Sequence, residues 1–268
     1  MVSFRGASAD AMAALTDQVG GVAEASASAV AGDLFSAART VRDEPALRRV
    51  VTDQSVPAEA RSGLVGDLFT GKVDAATVGL LRDAAGRRWT RPRDLADALE
   101  QLGVVAAVRS VGLQAGTLVD ELFAVRQLVN ANHGLRDALS DPVRSAADKG
   151  TLVDTLLAGK VLPTTVQLVK QALSGSYRTV VSALEDYERT AAQVQGEGVA
   201  TVHVARPLTE ADQQRLASAL TRQYGRPVHL NIVVDPGVLG GMKVEIGDDV
   251  IDGTVLSRLD DARRKIAG

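Results

Sequence analysis

The chain has no cysteine, which removes disulfides, thiolate nucleophiles and cysteine-held metals, and suits a reducing compartment. Aromatic residues make up only 3% of it, with a single Trp, so platforms for stacking bases or sugars are few. The three histidines, His133, His203 and His229, form no arrangement typical of metal sites. There is no basic excess either. Thirty Lys and Arg against 33 Asp and Glu leave a formal charge of −3, which argues against a general nucleic-acid binder. No apolar run approaches the roughly 18–20 residues of a membrane span. The first twenty residues hold Arg5 but no apolar core, unlike a signal peptide. The expectation is a soluble chain whose membrane association runs through a partner. G-x-S-x-G, H-E-x-x-H and G-x-G-x-x-G are missing. The pairs Asp248-Asp249 and Asp260-Asp261 read as a turn and a solvated helix face. Nothing points to a catalytic residue, a metal or a cofactor.

What is present is Ala, Leu and Val, within a chain that is 46% hydrophobic and favours helices packed through small aliphatic side chains. Its 268 residues suffice for one large domain or two to three small ones. Shifting the sequence by 88 positions brings two stretches into gapless register. Asp33-Leu34-Phe35 falls on Glu121-Leu122-Phe123, and Leu47-Arg48 on Leu135-Arg136. Leu64-Val65 falls on Leu152-Val153, Gly71-Lys72-Val73 on Gly159-Lys160-Val161, and Thr77-Val78 on Thr165-Val166. The spacing of Val30, Leu34, Ala37, Ala38 and Val41, and of Leu118, Leu122, Val125 and Val129, is helical. Each copy therefore reads as a bundle of short helices, with long helices near 94–111 and 179–194 leading out. The duplication alone equally suits a free-standing helical-repeat scaffold or regulatory adaptor.

Near Gly196-Glu197-Gly198 the period changes to two. Residues 199–204, 228–234 and 242–246 alternate as strands. Between the first two, Thr209 caps a helix with Leu216, Leu220 and Tyr224 on one face and Gly225 as its stop. A final helix is expected from about Gly253 to Ile266, with Val255 and Leu259 on one side and Asp252 as a candidate N-cap. The expected fold is α+β and predominantly α. It comprises helical bundles over 1–105 and 106–195 and a small β/α domain over 196–268.

Two motifs invite chemistry. Gly66-Asp67-Leu68-Phe69-Thr70-Gly71-Lys72-Val73 is one hydroxyl short of the phosphate-binding pattern G-x-x-x-x-G-K-[ST]. A working phosphate loop follows a strand and opens a helix, whereas this stretch closes one. Its counterpart keeps Gly159-Lys160-Val161 behind Asp154, so a helix stop is the better reading. Arg87-Arg88-Trp89-Thr90-Arg91-Pro92-Arg93 reads as a solvated connection or a protein contact rather than a nucleic-acid patch. The second copy has Gly175-Ser176-Tyr177-Arg178 there.

The most specific stretch runs Val233-Val234-Asp235-Pro236-Gly237-Val238-Leu239-Gly240-Gly241-Met242-Lys243-Val244-Glu245-Ile246-Gly247 and on through Asp252-Gly253-Thr254. It resembles the signature of the ATP synthase delta subunit family, which includes the mitochondrial oligomycin-sensitivity-conferring protein. Ala205-Arg206-Pro207-Leu208-Thr209, Leu256-Ser257-Arg258-Leu259 and Leu135-Arg136-Asp137-Ala138-Leu139-Ser140-Asp141-Pro142 are similar to that family as well. Typical members carry one N-terminal bundle, and this chain carries two. The resemblance implies a non-catalytic stator subunit without cofactor, at the cytoplasmic face of the bacterial plasma membrane. It implies that the bundle grips N-terminal helical segments of the alpha subunits and that the last domain binds the end of b. Asp235, Pro236, Leu239, Gly240, Gly241, Val244, Gly247, Asp252 and Gly253 are then residues that maintain the fold, and Leu216, Leu220, Val255 and Leu259 candidate partner contacts.

Overall fold

A computed structural model of the chain describes residues 4–238, 240–247 and 249–254. The fold is α+β and mostly α, in two compact units, Met1–Ala191 and Ala192–Gly268.

The first unit is helical. Helices α1 (Ala7–Gly20), α2 (Glu24–Asp43), α3 (Pro45–Thr52), α4 (Ala58–Phe69), α5 (Ala75–Gly86) and α6 (Pro92–Arg109) are followed by a single 3-10 turn. Then come α7 (Ala115–Ala131), α8 (His133–Ser140), α9 (Ala146–Leu157), α10 (Pro163–Ala172) and α11 (Val180–Val194). The 88-residue shift carries α3 onto α8 and α4 onto α9 with the same ends, and starts α5 and α10 at equivalent positions. Prolines open α3, α6 and α10, where a missing N–H costs little.

The shift also carries α1 into the span of α6, and α6 into that of α11. One helix thus occupies the last position of the first bundle and the first position of the second. It packs on α1, α2 and α3 and on α7 and α10. Of its residues only Pro92 and Arg93 are exposed. A helix flanked on all sides needs apolar or small residues all round, and Leu95-Ala96, Ala98-Leu99 and the run Leu102–Val108 supply them. At Gly103 a Cβ would lie 2.6 Å from the Phe35 ring of α2, so this glycine sets how closely α2 approaches. The boundary expected between residues 105 and 106 falls within α6.

The repeat extends to individual hydrogen bonds. Asp33 on α2 accepts from Asp74 N (2.8 Å) and Thr77 Oγ1 (3.1 Å) at the start of α5. Glu121 on α7 accepts from Leu162 N (2.9 Å) and Thr165 Oγ1 at the start of α10. In each case a carboxylate on one helix accepts from one backbone N–H and one threonine hydroxyl at the N-terminal end of another, where the helix dipole favours negative charge. Asp53 accepts from Ser55 N, and Asp141 from Val143 N, both at 2.8 Å.

Among its described residues the second unit is a four-stranded sheet with one helix, α12 (Glu210–Tyr224). Strands β1 (Gly198–Val204), β2 (Val228–Val234), β3 (Met242–Ile246) and β4 (Asp249–Asp252) lie in the order β2-β1-β3-β4. The pair β1–β2 is parallel, joined through α12, and the other pairs are antiparallel. Ala200, Val202, Val204, Val228, Val244 and Leu220 form the core. Strand β4 departs from expectation, since 249–252 reads in sequence as the end of a turn and the approach to a helix. Val244 pairing with Ile251 makes it an edge strand instead.

Candidate docking surfaces

In the second unit, Asp235 Oδ1 accepts from Gly237 N at 2.8 Å, a turn that reverses the chain after β2. Gly240 and Gly241 follow with φ of 72° and 77°. A Cβ on Gly241 would stand 2.4 Å from Gly253 O, because Gly253 N donates to Met242 O at 2.9 Å and draws the two segments together. Gly247 (φ 56°) turns β3 into β4. Asp252 Oδ1 accepts from Thr254 N at 2.9 Å, and bonds from Thr254 hold its carboxyl below the usual range. Asp235, Pro236, Gly240, Gly241, Asp252 and Gly253 thus gather at the edge of the sheet where β2 ends, β3 begins and β4 ends, while Gly247 lies at the opposite edge and Val244 in the core. Leu239, Val255, Leu259 and the expected last helix fall outside the described residues.

Helix α12 is capped by Thr209, whose hydroxyl accepts from Asp212 N, and stopped by left-handed Gly225. Leu220 is 3% exposed in the unit's core and Leu216 packs against its edge. Leu220 is therefore a core residue rather than a surface contact, because the apolar face of α12 is turned to the sheet. On that sheet Lys243 Nζ bonds Glu245 Oε1 at 2.5 Å. The bond holds the Glu245 carboxyl low and the Lys243 ammonium high.

In the helical unit the phosphate-loop lookalike closes α4. Gly71 is left-handed (φ 77°), as is Gly159 (φ 73°) at the end of α9. Thr70 N donates to Gly66 O, and Ala158 N to Asp154 O, both at 2.9 Å. The motif ends a helix, the carbonyl end of its dipole, which repels phosphate.

The interior holds a polar centre that no sequence motif marks. Glu100 on α6 is 1% exposed. Its Oε2 accepts from Arg42 Nη2 of α2 (2.6 Å) and from Ser176 N (2.9 Å), and its Oε1 from Tyr187 Oη of α11 (2.9 Å). Tyr177 meets Tyr187 edge to face at 5.6 Å and donates to Asp186. Burial, with the neighbouring carboxylates, pushes both phenols well above their ordinary range. Asp97 lies 3.8 Å from Arg42, yet burial raises its carboxyl pKa more than Arg42 lowers it. Glu188, 88 positions after Glu100, pairs with Arg126 at 3.1 Å. Partners 58 to 87 positions distant leave no local signal, which is why sequence reasoning misses this centre.

The arginine-rich turn joins α5 to α6. Trp89 is buried, with Nε1 donating to Ala84 O at 2.9 Å, and Arg87 pairs with Asp83 at 2.7 Å. Arg88, Arg91 and Arg93 are exposed. A cavity of about 220 Å³ lies elsewhere, lined by Val129, Arg136, Leu139 and Val180 among others, small beside typical ligand sites. Among the described residues no three His, Asp or Glu side chains gather as a metal site would need.

Comparison with known proteins identifies the family. The model of the family described as ATP synthase delta (OSCP) subunit matches residues 104–266. The ATP synthase subunit delta of a Nocardioides species is 60% identical over 99% of this chain and 98% of its own length. That of Kineococcus radiotolerans is 41% identical over 88% of this chain and 87% of its own. That of Streptomyces avermitilis is 38% identical over 99% and 100%. With a family match over most of the chain and likeness running end to end, the chain belongs to the ATP synthase delta (OSCP) family.

Proposed function

We propose that this chain links the alpha subunits of the ATP synthase head to the C-terminal end of subunit b, at the cytoplasmic face of the plasma membrane. Membership of the delta family makes it a non-catalytic peripheral-stalk subunit. The observation that carries the reading is the end-to-end 60% identity with an ATP synthase subunit delta. In this role the helical unit receives an amphipathic alpha segment against its bundle, as helix-in-groove recognition requires, and the second unit receives b. The chain forms and breaks no phosphate bond. It keeps the head from turning with the rotor, so that rotation is converted into conformational change in other subunits. Membrane association follows from the assembly, since no single described helix is long and apolar enough to span a bilayer.

Titration calorimetry of the full chain with an alpha N-terminal peptide and with a b C-terminal peptide tests the reading. Saturable heat with each is expected, and the absence of heat with both would overturn it. Deleting 1–91 or 112–179 separately then assigns the alpha contact to a bundle.

A further inference from the structure

We propose that the turn between α5 and α6 is a docking surface for an acidic segment of a partner protein. Thr90 straps the N-terminal segment to this turn. Its Oγ1 donates to Arg5 O at 2.8 Å and its N–H to Ser8 Oγ at 2.7 Å, while Ser8 Oγ donates to buried Asp94 at 2.7 Å. The strap brings Arg5 beside Arg88 and Arg91, and Arg93 follows at the start of α6. All four side chains are exposed. Among the described residues, Arg5, Arg88 and Arg91 make no side-chain hydrogen bond or ion pair. Arg93 has only a through-space attraction to Asp97. Asp83 is engaged by Arg87, Asp94 by Ser8 and Asp97 by Arg42, which leaves Asp10 in the first turn of α1 as one exposed acid against four exposed arginines.

The second bundle shows what this position does when its needs are met internally. There Ser176, the counterpart of Arg88, gives its N–H to Glu100. Counting back 88 positions from Glu100 leads to Met12 on α1, so the first bundle has no carboxylate at that place. The counterparts of Arg88, Arg91 and Arg93 are Ser176, Thr179 and Val181, so the repeat itself does not require the charge. A cluster of unneutralised guanidinium groups on a chain of net charge −3 is complementary to carboxylates from outside, which Arg binds through its planar fork. Trp89 is 7% exposed, so its ring offers no stacking face of the kind single-stranded nucleic acid uses. No large apolar side chain from this turn stands exposed to enter a lipid surface.

The test is fluorescence anisotropy of the full-length protein with a labelled Glu-rich peptide and its Gln counterpart. The Glu peptide is expected to bind, more weakly as salt rises, and the Gln peptide not to bind. Arg88→Ala with Arg91→Ala weakens binding about tenfold, and Arg88→Glu with Arg91→Glu abolishes it. Arg39→Ala with Arg222→Ala, exposed arginines elsewhere, leaves it unchanged. Circular dichroism verifies that each variant keeps its helices, as side chains without internal bonds predict. Absent binding, an equal loss in the Arg39/Arg222 control, or tighter binding to phosphatidylglycerol vesicles or a single-stranded oligonucleotide would each overturn the proposal. Because the test uses neither alpha nor b, its outcome is independent of theirs.

Discussion

Replacing Glu100 by Ala probes whether the two bundles are held as one body. The substitution removes acceptors for three donors: Arg42 Nη2, Ser176 N and Tyr187 Oη. Arg42 is a quarter exposed and can turn to water at little cost. Tyr187 is 1% exposed, so its hydroxyl stays buried without a partner, at about 1–3 kcal/mol. Ser176 N adds a comparable amount unless water reaches it, and the small cavity left by the side chain adds more. The sum is about 3 kcal/mol, at the lower edge of what breaking a buried ion pair costs. Glu100→Gln costs less, about 1 kcal/mol, because its oxygen keeps Arg42 and Ser176 N while its amide donates to the Tyr187 oxygen. Urea denaturation of the full chain followed by far-UV circular dichroism, dominated by the helical unit, reads both values. Glu100→Ala within about 0.5 kcal/mol of the unmodified chain, or Glu100→Gln as harmful as Glu100→Ala, would refute the reasoning.

Gly241→Ala forces a left-handed backbone on a residue with a Cβ and sets that carbon against Gly253 O. A loss of at least about 2 kcal/mol, seen as a lower Tm of the sheet unit, is expected. Asp97→Asn has the opposite sign at neutral pH. Burial raises the Asp97 pKa above its ordinary 3.8, so its stabilising contribution is complete below that value and lost as pH rises through the folded pKa. The Asn variant is thus more stable than the unmodified chain at pH 7, and the difference vanishes in thermal melts below about pH 3.8. Lys72→Ala leaves calorimetric titration with ATP flat, as it is in the unmodified chain, because the motif ends a helix; heat abolished by the substitution would contradict this.

How much of this was legible in the sequence depended on whether the cause was local. The helices of both bundles follow from periodicity, and their matching ends from the 88-residue register. Helix α1 shows helical spacing at Ala11, Leu15 and Val19, but it shares no residue with its counterpart positions in α6, so the register gives no hint of it. That α6 serves both bundles is a tertiary fact: its composition announces burial without saying by what. Strand β4 is four residues long with an Asp at each end, and pairing with β3 alone decides its conformation. Turn chemistry at Asp235 and Gly241 was readable because Asx turns and left-handed glycines act through neighbouring residues. The Glu100 centre was not, since burial of a helical glutamate is fixed by residues far along the chain.

Helix α6 has a mechanical consequence. Two bundles joined by a flexible linker would form a joint, and a joint yields under twist before it transmits load. Because one continuous helix is embedded in both cores, bending between the bundles would require breaking its backbone hydrogen bonds or parting close-packed side chains. The duplication therefore adds its second bundle without adding a joint, because the two share a helix rather than a linker.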